Sequence, residues 1–341
     1  MARKKQHRTG SQHATLAKVA ELSGVSEITV SRVLRNKGAI AEQTRKRVLS
    51  AVDKIGYVPN RLAGSLASAG SNLVGVIVPS LSNIVFPEVL RGVHAALEAT
   101  DTQAVMGVTD YDIDIEERLV RSLIAWQLKA MLIVGLDHTV TTSKLLRGAG
   151  IRIAELMDID SEPIDIAVGM SNRTAGLDSG RYLLKRGYRR FGYVGHDWVK
   201  DRRARHRFDG LVAALREQGI SLVDREVYDG PSSPMAGRAG LANLLARAPD
   251  IDVVAFSNDD MAVGGVFHCI SENIKLKQDL AIFGFNGLGI GMALPYPLST
   301  VRSHRFSIGK TAVEMVLKPR ESGSAPIVVD MGYEIIEGAT A

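Results

Sequence analysis

Five polar side chains fall within nine residues near the start of the chain, and their types suit one kind of recognition. They are Glu27, Thr29, Ser31, Arg32 and Arg35. An arginine can make two parallel hydrogen bonds to a guanine edge, and hydroxyl groups can bind phosphate oxygens. If one surface presents this set, it can contact a nucleic acid.

A helix over 26–36 would present these side chains together. Val30, Val33 and Leu34 recur at three- and four-residue intervals, so they form one buried stripe on such a helix. Ser26 is a residue type that caps helix N-termini. The polar side chains, and Ile28 with them, are then left facing mostly outward.

Two further helices are predicted around this one. Thr15 can cap a first helix, and Gly24 supplies a tight turn before 26–36. A third helix is predicted over 44–55, ending at Gly56. The residues expected to be buried are Leu16, Val19, Ala20 and Leu22 in the first helix and Val48, Ala51, Val52 and Ile55 in the third.

Helix, short turn and helix is the helix-turn-helix arrangement, in which the second helix enters the major groove of DNA. We expect Glu27, Ile28 and Arg32 to reach base edges. Thr29, Ser31 and the basic residues around 35–47 are better suited to phosphates. An αα-hairpin used only for packing is the alternative, but it does not explain the exposed arginines and hydroxyls.

Charge is concentrated at the same end of the chain. Residues 1–61 hold 13 Lys and Arg against four acids, 13 − 4 = +9, while the whole chain is +5, so the remaining 280 residues carry about −4. A basic head on a mildly acidic body is typical of a head that meets a polyanion. A basic tail that serves only solubility is the alternative.

The stretch TLAKVAELSGVSEITVSRVLRNKGAIAEQTRKRVLSAVDKIGYVPNRLAGSLAS resembles the DNA-binding head and hinge of the lactose-repressor (LacI/GalR) family. The resemblance implies a hinge segment at 60–69 that becomes helical on operator DNA, with Leu66 wedged into the minor groove. Read alone, 60–69 is a flexible linker. The resulting set of expected DNA-binding residues is Thr15, Ser26, Glu27, Ile28, Thr29, Ser31, Arg32, Arg35, Tyr57, Asn60 and Leu66.

Beyond the hinge, short apolar runs alternate with helical patterns, which indicates an α/β doubly wound body with parallel sheets. The candidate strands are 73–78, 104–108, 130–135, 151–156, 190–195, 253–258 and 280–285. The whole chain is therefore expected to be an all-α helix-turn-helix head (1–59), a hinge (60–69) and an α/β effector-binding and dimerisation domain (70–341).

The resemblance continues through the body, which is similar to the two-lobed periplasmic-binding-protein-like fold. It implies a first lobe over about 70–169 and 299–326, a second over about 170–298 and 327–341, and a ligand held between them. Carried over by position, the implied effector-binding residues are Ser80, Asn83, Phe86, Asp110, Arg207, Asn258, Asp259 and Asn286.

Asn286 departs from the family pattern, in which most members have aspartate. A neutral side chain does not repel an anion, and Arg207 can pair with one. Stretches such as SLSNIVFPEVLRGV and SNDDMAVG look like the gluconate-operon repressors of the family, so a sugar acid such as gluconate is the favoured effector. Alternatives stay open: Asp259 as a helix cap, Phe86 as core, Arg207 paired with an acidic neighbour, and a neutral sugar or a corepressor as ligand.

No motif for catalysis, a metal or a cofactor is found in the sequence. No strand is followed by GxGxxG or GxxxxGK[ST], GxSxG does not occur, and the eight histidines lack ligand spacing. Cys269 has no partner cysteine and is expected in the core, which fits a reducing compartment. We therefore expect no enzyme, cofactor or metal site.

The partners expected are pseudo-palindromic operator DNA, a small-molecule effector and a second copy of the chain. The apolar segments 86–97 and 263–270 are the predicted dimer surface. No apolar run is long enough for a membrane helix, and the start of the chain lacks the apolar core of a signal peptide. A cytoplasmic location is therefore expected. A sugar-binding transport protein with the same body is the chief rival.

Overall fold

The computed structural model describes residues 14–35, 38–58, 71–320 and 323–341. They form two compact units that divide between Ser71 and Asn72, close to the predicted boundary at 70. The predicted hinge at 60–69, with Asn60 and Leu66, lies outside the described residues. Among the described residues, no helix is both long and apolar enough to cross a lipid bilayer.

The described residues of the first unit form a bundle of three helices, α1 (Leu16–Ser23), α2 (Glu27–Leu34) and α3 (Glu42–Ile55). Gly24 ends α1 with a φ of 66°, a left-handed conformation that glycine adopts without strain. The helices bury one shared core: Val19, Ala20, Val30, Val33, Val48 and Ala51. The short turn after Gly24 leaves the outer face of α2 in solvent.

Leu22 was expected in this core, and that prediction is wrong, because its side chain is 42% exposed. The inward face of α1 follows the i, i+3, i+4, i+7 rule through Leu16, Val19, Ala20 and Ser23. Ser23 takes the buried position, and its hydroxyl donates to the Val19 carbonyl at 2.6 Å. Leu22 points about a quarter-turn or more away from that face.

The second unit contains twelve strands and nine helices in the described residues. The strands are β1 (Leu73–Val78), β2 (Gln103–Val108), β3 (Ala130–Val134), β4 (Arg152–Leu156), β5 (Ile166–Gly169), β6 (Phe191–His196), β7 (Asp224–Tyr228), β8 (Val253–Phe256), β9 (Ala281–Phe283), β10 (Thr300–Ser303), β11 (Ile327–Asp330) and β12 (Tyr333–Ile336). The helices are α4 (Val85–Leu97), α5 (Ile113–Ile124), α6 (Val140–Gly148), α7 (Asn172–Lys185), α8 (Arg202–Glu217), α9 (Pro234–Arg247), α10 (Asp259–Ser271), α11 (Gly289–Met292) and α12 (Arg305–Val316).

These elements build two lobes, each around a parallel sheet. The first sheet has the order β11-β5-β4-β3-β1-β2, and the second has the order β7-β6-β8-β9. Strands β10 and β12 pair antiparallel, and Asn286 bridges to Arg302 beside them. We call the sheet of β1 with α4–α6 and α12 the first lobe, and the sheet of β6 with α7–α11 the second lobe.

The predicted lobe boundaries need two corrections. Ile327–Asp330, assigned to the second lobe, forms strand β11 and pairs parallel with β5 of the first lobe. Residues 299–303, assigned to the first lobe, lie against the second, since the Ser299 and Val301 carbonyls accept from the amides of Gly284 and Asn286. These pairings are between distant segments, so local sequence patterns do not reveal them.

Each sheet is covered on both faces by helices. Val74, Val76 and Val78 of β1 enter one core cluster while Ile77 enters another, because neighbouring strand residues point to opposite faces. Cys269 is fully buried in the core of the second lobe, as predicted. Burial on both faces explains why the central strands are continuous apolar runs.

Three pairs of helices cross at reciprocal glycines: α4 with α12, α7 with α8, and α9 with α10. At Gly176 of α7 an added Cβ would lie 2.0 Å from the Arg207 carbonyl, and at Gly210 of α8 it would lie 2.0 Å from the Arg173 carbonyl. Glycine therefore permits backbone-to-backbone contact at these crossings. The α7–α8 crossing therefore sets the position of Arg207 in the second lobe.

The predicted dimer surface over 86–97 is largely an internal contact. Phe86, Val89, Val93 and Leu97 are buried in the core of the first lobe, where α4 packs on α12. The periodicity of the segment reports a helix with one apolar face, and that face is used within the chain.

Candidate functional site

The outer face of α2 forms one wall of a concave surface on the head. The residues around it are Leu16, Glu27, Ile28, Ser31, Arg32, Arg35 and Gly38. Ile28 on this face is 68% exposed. An apolar side chain beside arginine and glutamate suits the edges of DNA bases, including the thymine methyl group.

Several predicted DNA-binding residues already have a partner within the head. The Thr15 hydroxyl accepts from the Lys18 amide at 3.2 Å, and the Ser26 hydroxyl accepts from the Thr29 amide at 3.3 Å, so both are N-caps. The Arg35 guanidinium donates to the Ser31 hydroxyl, with Nε at 3.1 Å. Tyr57 packs half-buried against the head core.

A polar cavity lies between the lobes of the second unit, at the carboxyl ends of the strands. The described residues that line it are Asn83, Val85, Phe86, Met157, Met170, Asn172, Asp201, Arg203, Arg207, Asn258, Phe285, Asn286 and Ser303. Asn83 and Phe86 follow β1, Arg203 and Arg207 stand on α8, and Asn286 follows β9. Both lobes therefore contribute side chains.

Five of the eight predicted effector-binding residues line this cavity: Asn83, Phe86, Arg207, Asn258 and Asn286. Ser80 does not, but its hydroxyl accepts from the amides of Ser82 and Asn83 at 3.2 and 3.3 Å and so shapes the loop of Asn83. Asp110 is exposed and lies in a neighbouring groove instead. The hydroxyl of Tyr111, next to it, accepts a hydrogen bond from the side-chain nitrogen of Asn83 at 3.1 Å.

Asp259 is fully buried behind the cavity and holds the loop that carries Asn286. Its Oδ1 accepts from the Thr300 hydroxyl at 2.6 Å, and its Oδ2 accepts from the Leu288 amide at 2.6 Å. Burial raises the pKa of this carboxyl to about 6, against the opposing effect of the two hydrogen bonds. Asp259 is thus placed to position Asn286 rather than to touch a ligand in the cavity.

Arg207 is held by both of its terminal nitrogens. Nη1 donates to the Asn172 side-chain oxygen at 2.9 Å, and Nη2 donates to the Ser257 carbonyl at 3.0 Å. The guanidinium also lies 4.4 Å from the centre of the Phe285 ring. Its pKa is lowered, chiefly by burial.

Sequence reasoning missed Asp201 and Arg203, which stand one helical turn or more before Arg207. Residues four apart lie on the same helix face, so the spacing of Arg203 and Arg207 was a usable signal. Asp201 caps α8 by accepting from the Ala204 amide at 3.2 Å. Burial opposes its ionisation, but Arg203 and Arg207 bring the pKa of Asp201 down to about 2, so it is ionised at neutral pH.

The charge of the lining is positive. Among the described lining residues, two arginines face one carboxylate, 2 − 1 = +1. Four amide side chains and the Ser303 hydroxyl supply neutral donors and acceptors around them. Such a lining is matched to a small anion that also carries hydroxyl groups.

Comparison with known families divides the chain at the same place as the structure. Residues 15–60 match the model described as "Bacterial regulatory proteins, lacI family", and residues 71–328 match "Periplasmic binding proteins and sugar binding domain of LacI family". The chain belongs to the LacI family. The predicted resemblance and the predicted fold, a helix-turn-helix head with a two-lobed α/β body, are confirmed.

Relatives in the LacI family match nearly the whole chain. The transcriptional regulator GntR of Pseudomonas aeruginosa is 36% identical and aligns with 94% of each chain. The regulator IdnR of Escherichia coli K12 is 33% identical, covering 96% of this chain and 98% of its own. A LacI-family regulator from Silicibacter pomeroyi has a crystal structure with 42% identity and a TM-score of 0.91, covering 96% of this chain and 99% of its own.

The LacI-family chain is therefore a DNA-binding transcriptional regulator. Its relatives are regulators rather than enzymes, in agreement with the prediction of no catalytic activity. LacI-family proteins bind operator DNA through the head and small molecules through the body.

Proposed function

We propose that the protein is a repressor that leaves its operator when a sugar acid such as gluconate binds between the lobes. The composition of the cavity carries this proposal. Amide side chains suit the hydroxyl groups of a sugar chain, and the surplus guanidinium suits a carboxylate. The neutral Asn286 lies beside them without adding a repelling charge.

The size of the cavity supports coupling between ligand and conformation. Its volume is about 30 Å³, which is room for about two water molecules. A six-carbon sugar acid cannot enter without movement of the lobes or of the lining side chains. A ligand that changes the spacing of the lobes can change the hinges, and through them operator affinity, by a typical coupling of about 5- to 150-fold.

We also propose that two copies bind a pseudo-palindromic operator. Paired half-sites call for two recognition helices related by a two-fold axis. Within 263–270, one part of the predicted dimer surface, Phe267 is 46% exposed and Ile270 is 44% exposed. Sedimentation of the full chain at micromolar concentration tests the dimer, and a monomer that still binds the full operator tightly would contradict it.

Calorimetric titration of the full chain tests the effector class. The ligands are gluconate, other sugar acids and the matching neutral sugars and polyols, at one ionic strength. Selective binding of a sugar acid supports the proposal. Binding of neutral sugars alone would show that the effector is a neutral sugar and not a sugar acid. Tighter operator binding in the presence of ligand would show that the ligand is a corepressor.

A further inference from the structure

The two arginines of the cavity differ in what their guanidinium groups already hold. Both terminal nitrogens of Arg207 are used within the second lobe, by Asn172 and by the Ser257 carbonyl. Only its Nε, the nitrogen nearest the backbone, is buried without a partner among the described residues. A carboxylate bound through two parallel bonds needs a pair of N–H groups on one edge of the guanidinium. In Arg207 two of the five N–H groups are already committed to the second lobe, one on each terminal nitrogen, so neither terminal nitrogen is without a partner.

Arg203 has a terminal nitrogen to offer. Its Nη1 is buried and has no hydrogen-bond partner among the described residues. Its contact with Asp201 is loose, with Nε 3.5 Å from Oδ1. The guanidinium lies 5.5 Å from the centre of the Phe86 ring, which belongs to the first lobe. A buried charged donor left unsatisfied is costly, so this group is poised to gain from an acceptor placed in the cavity.

We propose that Arg203, and not Arg207, binds the carboxylate of the effector. The inference rests on the proposed function, since it requires an acidic effector. Arg207 is then a positioning residue that holds Asn172 and the Ser257 backbone in place. Arg203 extends from α8 of the second lobe toward Phe86 of the first lobe. An anion bound to Arg203 would therefore hold this guanidinium close to the first lobe.

The remaining lining fixes the orientation of the ligand. Asn258 and Asn286 follow β8 and β9 of the second lobe and line the same cavity. They offer neutral donors and acceptors to hydroxyl groups. In the proposed arrangement the carboxylate binds Arg203, near Phe86, and the hydroxyl-bearing chain binds the two amides.

Calorimetry with a charged and an uncharged form of one ligand tests this assignment. Gluconate and gluconamide share the hydroxyl chain and differ in the carboxylate. Arg203→Gln is expected to lower gluconate affinity about 10- to 100-fold and to change gluconamide affinity less than about threefold. Arg203→Lys, which keeps the charge but not the planar pair of donors, is expected to fall between Arg203→Gln and the unaltered chain.

Two comparison variants make the result decisive. Arg205→Gln changes an exposed arginine on the same helix and is expected to leave both affinities unchanged. Arg207→Gln is expected to weaken both ligands alike and to lower the melting temperature, because it removes two hydrogen bonds of the second lobe. Selective loss of gluconate in Arg207→Gln but not in Arg203→Gln would overturn the inference while leaving the sugar-acid effector intact. If the unaltered chain binds no sugar acid, the proposed function fails and the inference with it.

Discussion

His206 and Asp160 face each other across the two lobes, with His206 Nδ1 3.6 Å from Asp160 Oδ2. Asp158 Oδ2 lies 3.8 Å from the same nitrogen. His206 belongs to α8, while both aspartates follow β4 of the first lobe. Asp160 also accepts from the Arg173 amide at 2.9 Å, so one loop of the first lobe is tied to the start of α7 as well as to α8.

This contact predicts a pH dependence of stability. The close approach of the Asp160 carboxylate raises the pKa of His206, with burial opposing it. Although burial opposes ionisation of Asp160, the nearby His206 and the hydrogen bond from Ser171 bring its pKa down to about 2. The stabilisation is therefore complete below about pH 6.5, the ordinary histidine value, and is lost as pH rises through the raised pKa. Asp158, whose pKa is raised by burial, adds to the negative field.

The unfolding free energy of the body is expected to fall above pH 6.5 by up to about 1 kcal/mol, the upper range for a partly solvated ion pair. His206→Asn is expected to remove this part of the dependence of the unfolding free energy on pH. Urea unfolding between pH 6 and pH 9 measures it, with His268→Asn, an altered histidine on α10, as the control. Identical slopes in the His206 variant and the unaltered chain would contradict the role of the contact.

The buried pair of Asp259 and Thr300 predicts a loss of stability when the hydroxyl is removed. Thr300→Val leaves Asp259 Oδ1 without its donor at 2.6 Å, at an expected cost of about 1–3 kcal/mol. Thr300→Ser keeps the hydroxyl and serves as the matched control. Chemical denaturation gives both values, and an unfolding free energy for Thr300→Val equal to that of the unaltered chain would contradict the stabilising role of the hydrogen bond.

Close helix packing predicts that Gly176 cannot carry a side chain. In Gly176→Ala the new Cβ would lie 2.0 Å from the Arg207 carbonyl, so α7 and α8 must separate at a cost of about 1–3 kcal/mol or more. Effector affinity should fall as well, since Arg207 moves with α8. Gly148→Ala at the end of α6 is the control, because nothing lies within 4 Å of its new Cβ. An unchanged melting temperature in Gly176→Ala would contradict the close backbone packing of α7 against α8.

The recognition face predicts two different effects on DNA binding. Arg32→Ala is expected to relax base preference at one position of the half-site, at about 1–3 kcal/mol. Lys46→Ala, an exposed change on α3, is expected to weaken all sequences alike and to lower the salt slope by about 1. Operator and random duplexes titrated at several salt concentrations separate the two. If Arg32→Ala lowers affinity equally for the operator and the random duplex, Arg32 does not contribute to base recognition.

The sequence predicts the parts of this architecture that local patterns encode. Thr15 and Ser26 cap α1 and α2 as their residue types suggest, and the apolar runs at β1, β3 and β8 are buried strands. Strand β7 escapes prediction because it is a sheet edge with polar, partly exposed side chains and no apolar run. β11 joins the first lobe only through pairing with β5, which the sequence around it does not specify.

The candidate site divides in the same way. Family resemblance points to Arg207, Asn258 and Asn286, and the structure brings them together, although their contact with an effector stays a prediction. Asp110 and Asp259 match family positions but lie outside the cavity, the first because its turn points it to solvent and the second because Thr300 and the Leu288 amide bind it. Nη1 of Arg203 has no hydrogen-bond partner among the described residues. This depends on the tertiary contacts of the side chain, which sequence spacing alone does not show.

The central claim is that a sugar acid between the lobes weakens operator binding by the head. The most direct measurement is fluorescence anisotropy of a labelled operator duplex titrated with the full chain, with gluconate or with glucitol, at matched ionic strength. We expect gluconate to lower operator affinity by about 5- to 150-fold and glucitol to leave it unchanged. Operator affinity that is unchanged by gluconate, or raised by it, would contradict the claim.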